Sequence, residues 1–422
     1  MNMAKANSTK IMVNGVGYQI PDRPVVVVCV DGGDIRYFEH AQRKGLIPNI
    51  ERYMSTGFNG VGDCVVPSFT NPNNISIFTG VPPVVHGISA NFFVDPKTGL
   101  DVQMTDPEFI RCPTILGKFS KVTKVAAVTA KDKLRRMLGK GMQFEHGSVN
   151  FSSEKADQCT ISENGIENVV ELVGMSAPEV YSAELSLFVL EAGIKLLERD
   201  KPKAMYLSLT DYIQHKHAPG TPVANEFFKA LDDAFGRIVD LGAVLAITAD
   251  HGMNDKSKTD GSPNVVYLQD ELDRQFGADS QKVILTLTDP YIVHHGALGG
   301  YVGVYCRSGA SVEEVMAFIK KLPGVEQVHD RASACSTFEL PEDRQPDIAI
   351  ISDAETVIGS SKSFHDLSAL QGYRLRSHGG VTEQQVPFIL SAPLNDKYSA
   401  RAGSETLRNY QIFDYAVNGT MN

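Results

Sequence analysis

Three apolar runs in this chain each end in an aspartate, and that arrangement constrains the fold more than any other feature. Val25-Val26-Val27-Val28-Cys29-Val30 ends in Asp31. Ala204-Met205-Tyr206-Leu207-Ser208-Leu209-Thr210 ends in Asp211, with His215 four residues further on. Ala243-Val244-Leu245-Ala246-Ile247-Thr248-Ala249 ends in Asp250-His251-Gly252. Short runs of this kind, flanked by helical patterns, read as central strands of a parallel sheet covered on both faces. Open α/β sheets bind their ligands beyond the carboxyl ends of the strands. The three strands therefore deliver Asp, Asp/His and Asp/His to one edge, enough donors for a metal centre.

The intervening sequence supports βαβ alternation. Residues 181–197 place Leu185, Phe188, Val189, Ala192 and Leu196 on one helical face, and residues 225–239 do the same with Phe227, Leu231, Ala234, Phe235 and Ile238. Each predicted helix precedes one of the aspartate-tipped strands. Asn14-Gly15 between short apolar segments predicts an N-terminal hairpin. Beyond His251 the pattern changes to short strands (283–287, 301–306, 348–351) around a helix at 312–322. Core character returns at Val386-Pro387-Phe388-Ile389-Leu390, just after Ser377-His378-Gly379-Gly380. The expected architecture is an α/β core of residues 1–254 and 366–422. It has a mostly parallel central sheet with helices on both faces, and residues 255–365 form a small inserted α+β cap.

A chain of 422 residues has room for this arrangement, and its net charge of -10 argues against nucleic acid as the main partner. It contains no apolar run of about 18 residues, so no membrane span is expected. The polar N-terminus lacks a signal-peptide core. Cys29, Cys64, Cys112, Cys159, Cys306 and Cys335 are scattered, with no C-x-x-C pair. Reduced, mostly buried thiols in a cytoplasmic protein are expected. A homodimer is compatible with this composition.

Asp and His donors suit zinc, manganese or iron, and the set contains no thiolate. Asp31, Asp211, His215, Asp250, His251 and His378 would serve two ions, an arrangement that can clamp both sides of a phosphoryl transfer. The segment leading to Thr70-Asn71-Pro72-Asn73 reads as a loop entering a helix, where phosphate oxygens are welcome at the helix N-terminus. A threonine hydroxyl there becomes a competent nucleophile once a metal activates it. Each signal has a plainer reading: Asp31 or Thr70 as a helix cap, Asp250-His251-Gly252 as a turn, His378 as a structural histidine. Their joint occurrence favours the metal centre.

Asp31-Gly32, Thr70-Asn71-Pro72-Asn73, Thr79-Gly80 with His86-Gly87-Ile88, Asp211-x-x-x-His215, Asp250-His251-Gly252-Met253 and His378-Gly379 stand in an order that resembles the alkaline phosphatase superfamily. The nearest branch is the nucleotide pyrophosphatase/phosphodiesterase-like one, over residues 24–254 and 370–392. The resemblance implies one zinc on Asp211, His215 and His378. It implies a second on Asp31, Asp250 and His251, with Thr70 as a further ligand and the nucleophile that becomes a phosphothreonine. Asn91 falls where the branch places a phosphoryl-binding asparagine, and His215 is also expected beside the substrate. Ala126-Ala127-Val128-Thr129-Ala130-Lys131-Asp132-Lys133 is most similar to members that cleave the C–P bond of phosphonoacetate into acetate and phosphate. Three aspartates, an alkoxide and two zinc ions sum to zero charge before a substrate with roughly three negative charges arrives, so further cations are needed nearby. Lys131 and Lys133 would supply them at the substrate carboxylate.

Three other readings compete. A phosphodiesterase of the same branch would keep the metals but offer an aromatic slot for its leaving group. A non-catalytic metal-binding protein on the same fold would need neither Thr70 nor the lysines. Phosphoglycerate mutase-like chemistry would place a serine at the nucleophile position. His217 is a weak candidate for protonating the leaving carbon, and His294 and His295 have no assigned role.

Overall fold

The computed structural model describes residues 10–95, 97–287, 297–370 and 372–421; His294 and His295 lie outside them. In chain order the strands that matter are β1 (Val25–Cys29), β2 (Phe58–Asp63), β3 (Val125–Thr129), β4 (Val149–Ser152), β5 (Ala204–Ser208), β6 (Val244–Thr248), β7 (Gln281–Ile284), β8 (Tyr301–Cys306), β9 (Val325–Asp330), β10 (Ile348–Ser352) and β11 (Gln385–Leu390). The principal helices are α1 (Ile35–Arg43), α2 (Thr70–Thr79), α3 (Asp132–Leu138), α4 (Glu184–Arg199), α5 (Tyr212–Lys216), α6 (Pro222–Asp240) and α7 (Val312–Ile319). A seven-stranded sheet runs β2-β11-β6-β1-β5-β3-β4. Strands β6, β1, β5, β3 and β4 are mutually parallel, and only β11 runs against its neighbours.

Both faces of β1 are buried, as its unbroken valine run requires. Val26 and Val28 pack with Phe188 of α4 and with Leu231 and Phe235 of α6. Val25 and Val27 face Ile75 and Phe78 of α2 on the other side. The register is what positions the site. Cys29 pairs with both Ser208 and Thr248, and Thr129 pairs with Ser208, so four strands end level. Asp31, Lys131, Asp211 and Asp250 each follow within three residues of those ends, so one edge receives them all.

A second sheet, β7-β8-β10-β9, is antiparallel and packs with α7 around Val302, Val304, Val315 and Ile350. The predicted strand 283–287 is displaced to Gln281–Ile284, because pairing with β8 begins at Gln281 and ends at Ile284. The Asn14-Gly15 hairpin forms, with Ile11–Val13 against Val16–Tyr18 and positive φ at both turn residues. All six cysteines are free, but only Cys29 and Cys64 are buried. The expectation of mostly buried thiols is thereby corrected: Cys112 and Cys159 fall in connections between elements, and Cys306 and Cys335 are half-buried, Cys306 at the half-buried end of β8. Among the described residues, no helix is long and apolar enough to cross a membrane.

Candidate metal centre and catalytic cleft

Beyond the level strand ends the three aspartates and three histidines converge. Asp211, His215 and His378 bring ligand atoms within 4.8 Å of one another, as do Asp31, Asp211 and His251. His215 Nε2 lies 2.8 Å from Asp211 Oδ2, and His251 Nε2 lies 3.2 Å from Asp31 Oδ1. The His251 and His378 rings stack at 3.5 Å. Asp211 is common to both groups. Asp250 stands just behind the second group: its Oδ1 accepts the Gly32 and His251 amides, and its Oδ2 accepts Asn74 Nδ2. Gly32 itself adopts φ +66, a conformation that favours glycine, and a Cβ there would press on Asp211 and Gln214.

The hydrogen bonds behind the histidines set their tautomers. Nδ1 of His215 donates to the Arg376 carbonyl, Nδ1 of His251 to the Gly252 carbonyl and Nδ1 of His378 to the Ser68 carbonyl, at 2.7–2.8 Å. Every Nε2 lone pair is therefore turned toward the aspartates, the arrangement of metal-ligating histidine. The electrostatics agree. Burial, with Asp211 and Asp250 alongside, holds Asp31 well above the carboxylate range, and burial next to Asp211 pushes Asp250 up to about 7. For Asp211 burial acts upward, but His215 and Lys131 outweigh it and hold the group well below its usual range. Burial and the facing His251 and His215 keep His378 neutral. Asp31 Oδ1 is buried without a hydrogen-bond partner. Carboxylates this crowded and dehydrated favour cations in their midst, so the donor set fits a divalent metal.

Thr70 is the first residue of α2, after an extended Phe69, and no side chain caps that helix. Its hydroxyl lies 3.5 Å from His251 Nε2, so the capping reading of Thr70 falls away. The capping reading of Asp31 falls as well, because Asp34 caps α1 through the Arg36 amide. A small cleft opens from the centre and is lined by Asp31, Thr70, Asn91, Lys131, Lys133 and His378, among others. The two lysines alternate with a buried Asp132 whose carboxylate points away, to Arg135 and Ser152, while its amide donates to Glu154. Asn91 gives Nδ2 to the Leu287 carbonyl, and its Oδ1 is buried without a partner. His217 packs on Tyr373 and does not line the cleft. Sequence reasoning missed Thr105, Leu134, Leu209 and Leu287, which complete the walls. Leu134 and Leu209 are near neighbours of Lys133 and Asp211 in the chain and could have been inferred from them, whereas nothing local marks Thr105 and Leu287, which reach the cleft through long-range packing.

This sheet topology, with a histidine- and aspartate-lined centre that could hold a divalent metal at its carboxyl edge and a threonine at a helix start, places the chain in a class of hydrolytic α/β enzyme. Residues 25–380 match the model of the type I phosphodiesterase / nucleotide pyrophosphatase family, and the chain belongs to that family, within the alkaline phosphatase superfamily. Phosphonoacetate hydrolase from Sinorhizobium meliloti, solved with phosphonoacetate, is 47% identical over 98% of this chain and 99% of its own, with a TM-score of 0.92. The same enzyme with phosphonoformate gives 48% identity and the same TM-score of 0.92. Murine ectonucleotide pyrophosphatase / phosphodiesterase 5 shares the fold at 18% identity and a TM-score of 0.62, over 94% of this chain and 96% of its own. An uncharacterised pyrophosphatase/phosphodiesterase of Schizosaccharomyces pombe is 24% identical over 56% of this chain, which spans 46% of that protein's length.

Proposed function

We propose that this chain hydrolyses the C–P bond of phosphonoacetate, giving acetate and phosphate. The observation that carries this reading is the placement of Lys131 and Lys133 in the same cleft as Thr70 and the metal-ligand set. A substrate whose phosphonate meets Thr70 can there present a carboxylate to two ammonium groups. The S. meliloti hydrolase, similar over nearly the whole chain, supports it.

In this reading Asp211, His215 and His378 would hold one zinc, and Asp31, Asp250, His251 and Thr70 would hold the other. The ions would polarise the phosphoryl oxygens and acidify the Thr70 hydroxyl. Thr70 Oγ gives up its proton and attacks phosphorus, while Asn91 and the N-terminus of α2 receive phosphoryl oxygens. As the P–C bond breaks, its electron pair passes to the methylene carbon and delocalises into the adjacent carboxylate. Lys131 and Lys133 bind that carboxylate more strongly as charge accumulates, which is selective stabilisation of the transition state. The carbon then takes a proton and leaves as acetate. Water attacks the phosphothreonine, releasing phosphate and restoring the Thr70 hydroxyl.

The cleft lining includes no phenylalanine or tyrosine among the described residues, which disfavours a nucleobase leaving group and with it the phosphodiesterase alternative. The test is phosphate release from phosphonoacetate by zinc-loaded protein, beside hydrolysis of an aryl phosphodiester. Turnover of phosphonoacetate that collapses in Lys131→Ala/Lys133→Ala supports the reading. Preference for the diester, unchanged in that variant, makes this a phosphodiesterase.

A further inference from the structure

The loops that carry His251 and His378 meet over a buried ion pair that the mechanism above does not use. Lys256 Nζ lies 3.0 Å from Glu383 Oε1, and both side chains are wholly buried. Glu383 uses each of its acceptors on these loops. Its Oε1 also receives Asn254 Nδ2 and Thr382 Oγ1, its Oε2 receives the Gly380 amide at 2.9 Å, and its backbone carbonyl receives the Gly252 amide at 2.7 Å. Asn254 passes the network on to Arg36, which pairs with Asp34 just beyond Asp31. Lys256 Nζ reaches in the other direction, to the Asp353 carbonyl at the end of β10. Three ligand-bearing segments and the edge of the smaller sheet therefore share one buried charge pair.

Such a pair is a poor source of stability, because dehydrating both ions offsets most of their attraction and an apolar pair of similar volume does as well. What it provides is direction: four donors fix the Glu383 carboxylate, which in turn holds the Gly380 amide two residues past His378 and the Asn254 side chain three residues past His251, while the Glu383 carbonyl holds the Gly252 amide. We propose that Lys256 and Glu383 are positioning residues for the metal centre, holding the His251 and His378 loops so that both Nε2 atoms face the aspartates. This rests on the metal-dependent reading above.

The test uses Glu383→Gln, Lys256→Met and the double variant Lys256→Met/Glu383→Met. Zinc transfer from the loaded protein to a chromophoric chelator reports affinity, and Tm in excess zinc reports the fold. The single variants should lose about 10–100-fold in zinc affinity and some Tm. The double variant should regain Tm yet keep the weakened affinity. A double variant that recovers zinc affinity along with Tm, or single variants with wild-type affinity, would reduce the pair to a structural role. Wild-type protein that takes up no divalent cation would instead overturn the metal reading, and this proposal with it.

Discussion

At the scale of single residues, the site depends on which atoms are left for chemistry once hydrogen bonds are assigned. Thr70 caps nothing and faces the centre, so Thr70→Ala should lower kcat by roughly a thousandfold or more while zinc content stays near wild type; a variant retaining a tenth of the activity would remove the nucleophile assignment. His86 shows the opposite use of an imidazole. It is wholly buried, its Nδ1 accepts the Ile88 amide, and its Nε2 bonds Ser76 of α2 at 2.8 Å. Burial, with Arg344 nearby, lowers its pKa from 6.5 to about 3. The unfolded chain therefore takes the proton first as pH falls, so this group's contribution is intact above about pH 6.5 and lost progressively toward pH 3. Urea midpoints should fall more steeply over that window in the wild type than in His86→Gln; parallel curves would contradict the assignment. The clustered aspartates and histidines, Thr70 and the lysine pair were legible as motifs. Thr105 and Leu287 were not, because their presence in the cleft depends on where distant segments pack rather than on neighbouring residues.

At the scale of elements, the strand ends and the turns after them do the placing. Asp132 is the hinge between the cleft-lining Lys131 and Lys133, anchored from behind by Arg135, Ser152 and Glu154. Asp132→Asn should raise KM for phosphonoacetate about tenfold, the effect of losing roughly 1.4 kcal/mol of orientation. The inhibition constant of inorganic phosphate, which lacks the carboxylate, should not move. Equal weakening of both ligands would show that the turn positions the whole cleft and not the lysines alone. Element identity was readable from periodicity, whereas boundaries moved. The helix expected over 312–322 ends at Ile319, and the one expected from 181 starts at Glu184. Both shifts reflect terminal turns whose outcome is set by tertiary contacts rather than by the apolar stripe.

At the scale of the whole molecule, five parallel strands hold one edge rigid, and buried carboxylates crowd that edge in a way that cations relieve. Stripping the metal with a chelator should lower Tm, and restoring zinc to a hundred times its Kd should return about 2.7 kcal/mol per site; a Tm indifferent to zinc would mean that the cluster is not a metal centre. The core sheet was foreseeable because its valine-rich runs admit few alternatives. The way the smaller sheet leans on the loops that carry His251 and His378, through Gly300 on the His378 carbonyl and Lys256 on Asp353, has no signature in local sequence. The most direct test of the central claim is turnover of phosphonoacetate in D2O, followed by phosphorus and proton magnetic resonance. The account predicts inorganic phosphate and singly deuterated acetate in equal amounts. Unchanged phosphonoacetate, in a zinc-loaded preparation that hydrolyses an aryl phosphodiester, would contradict it.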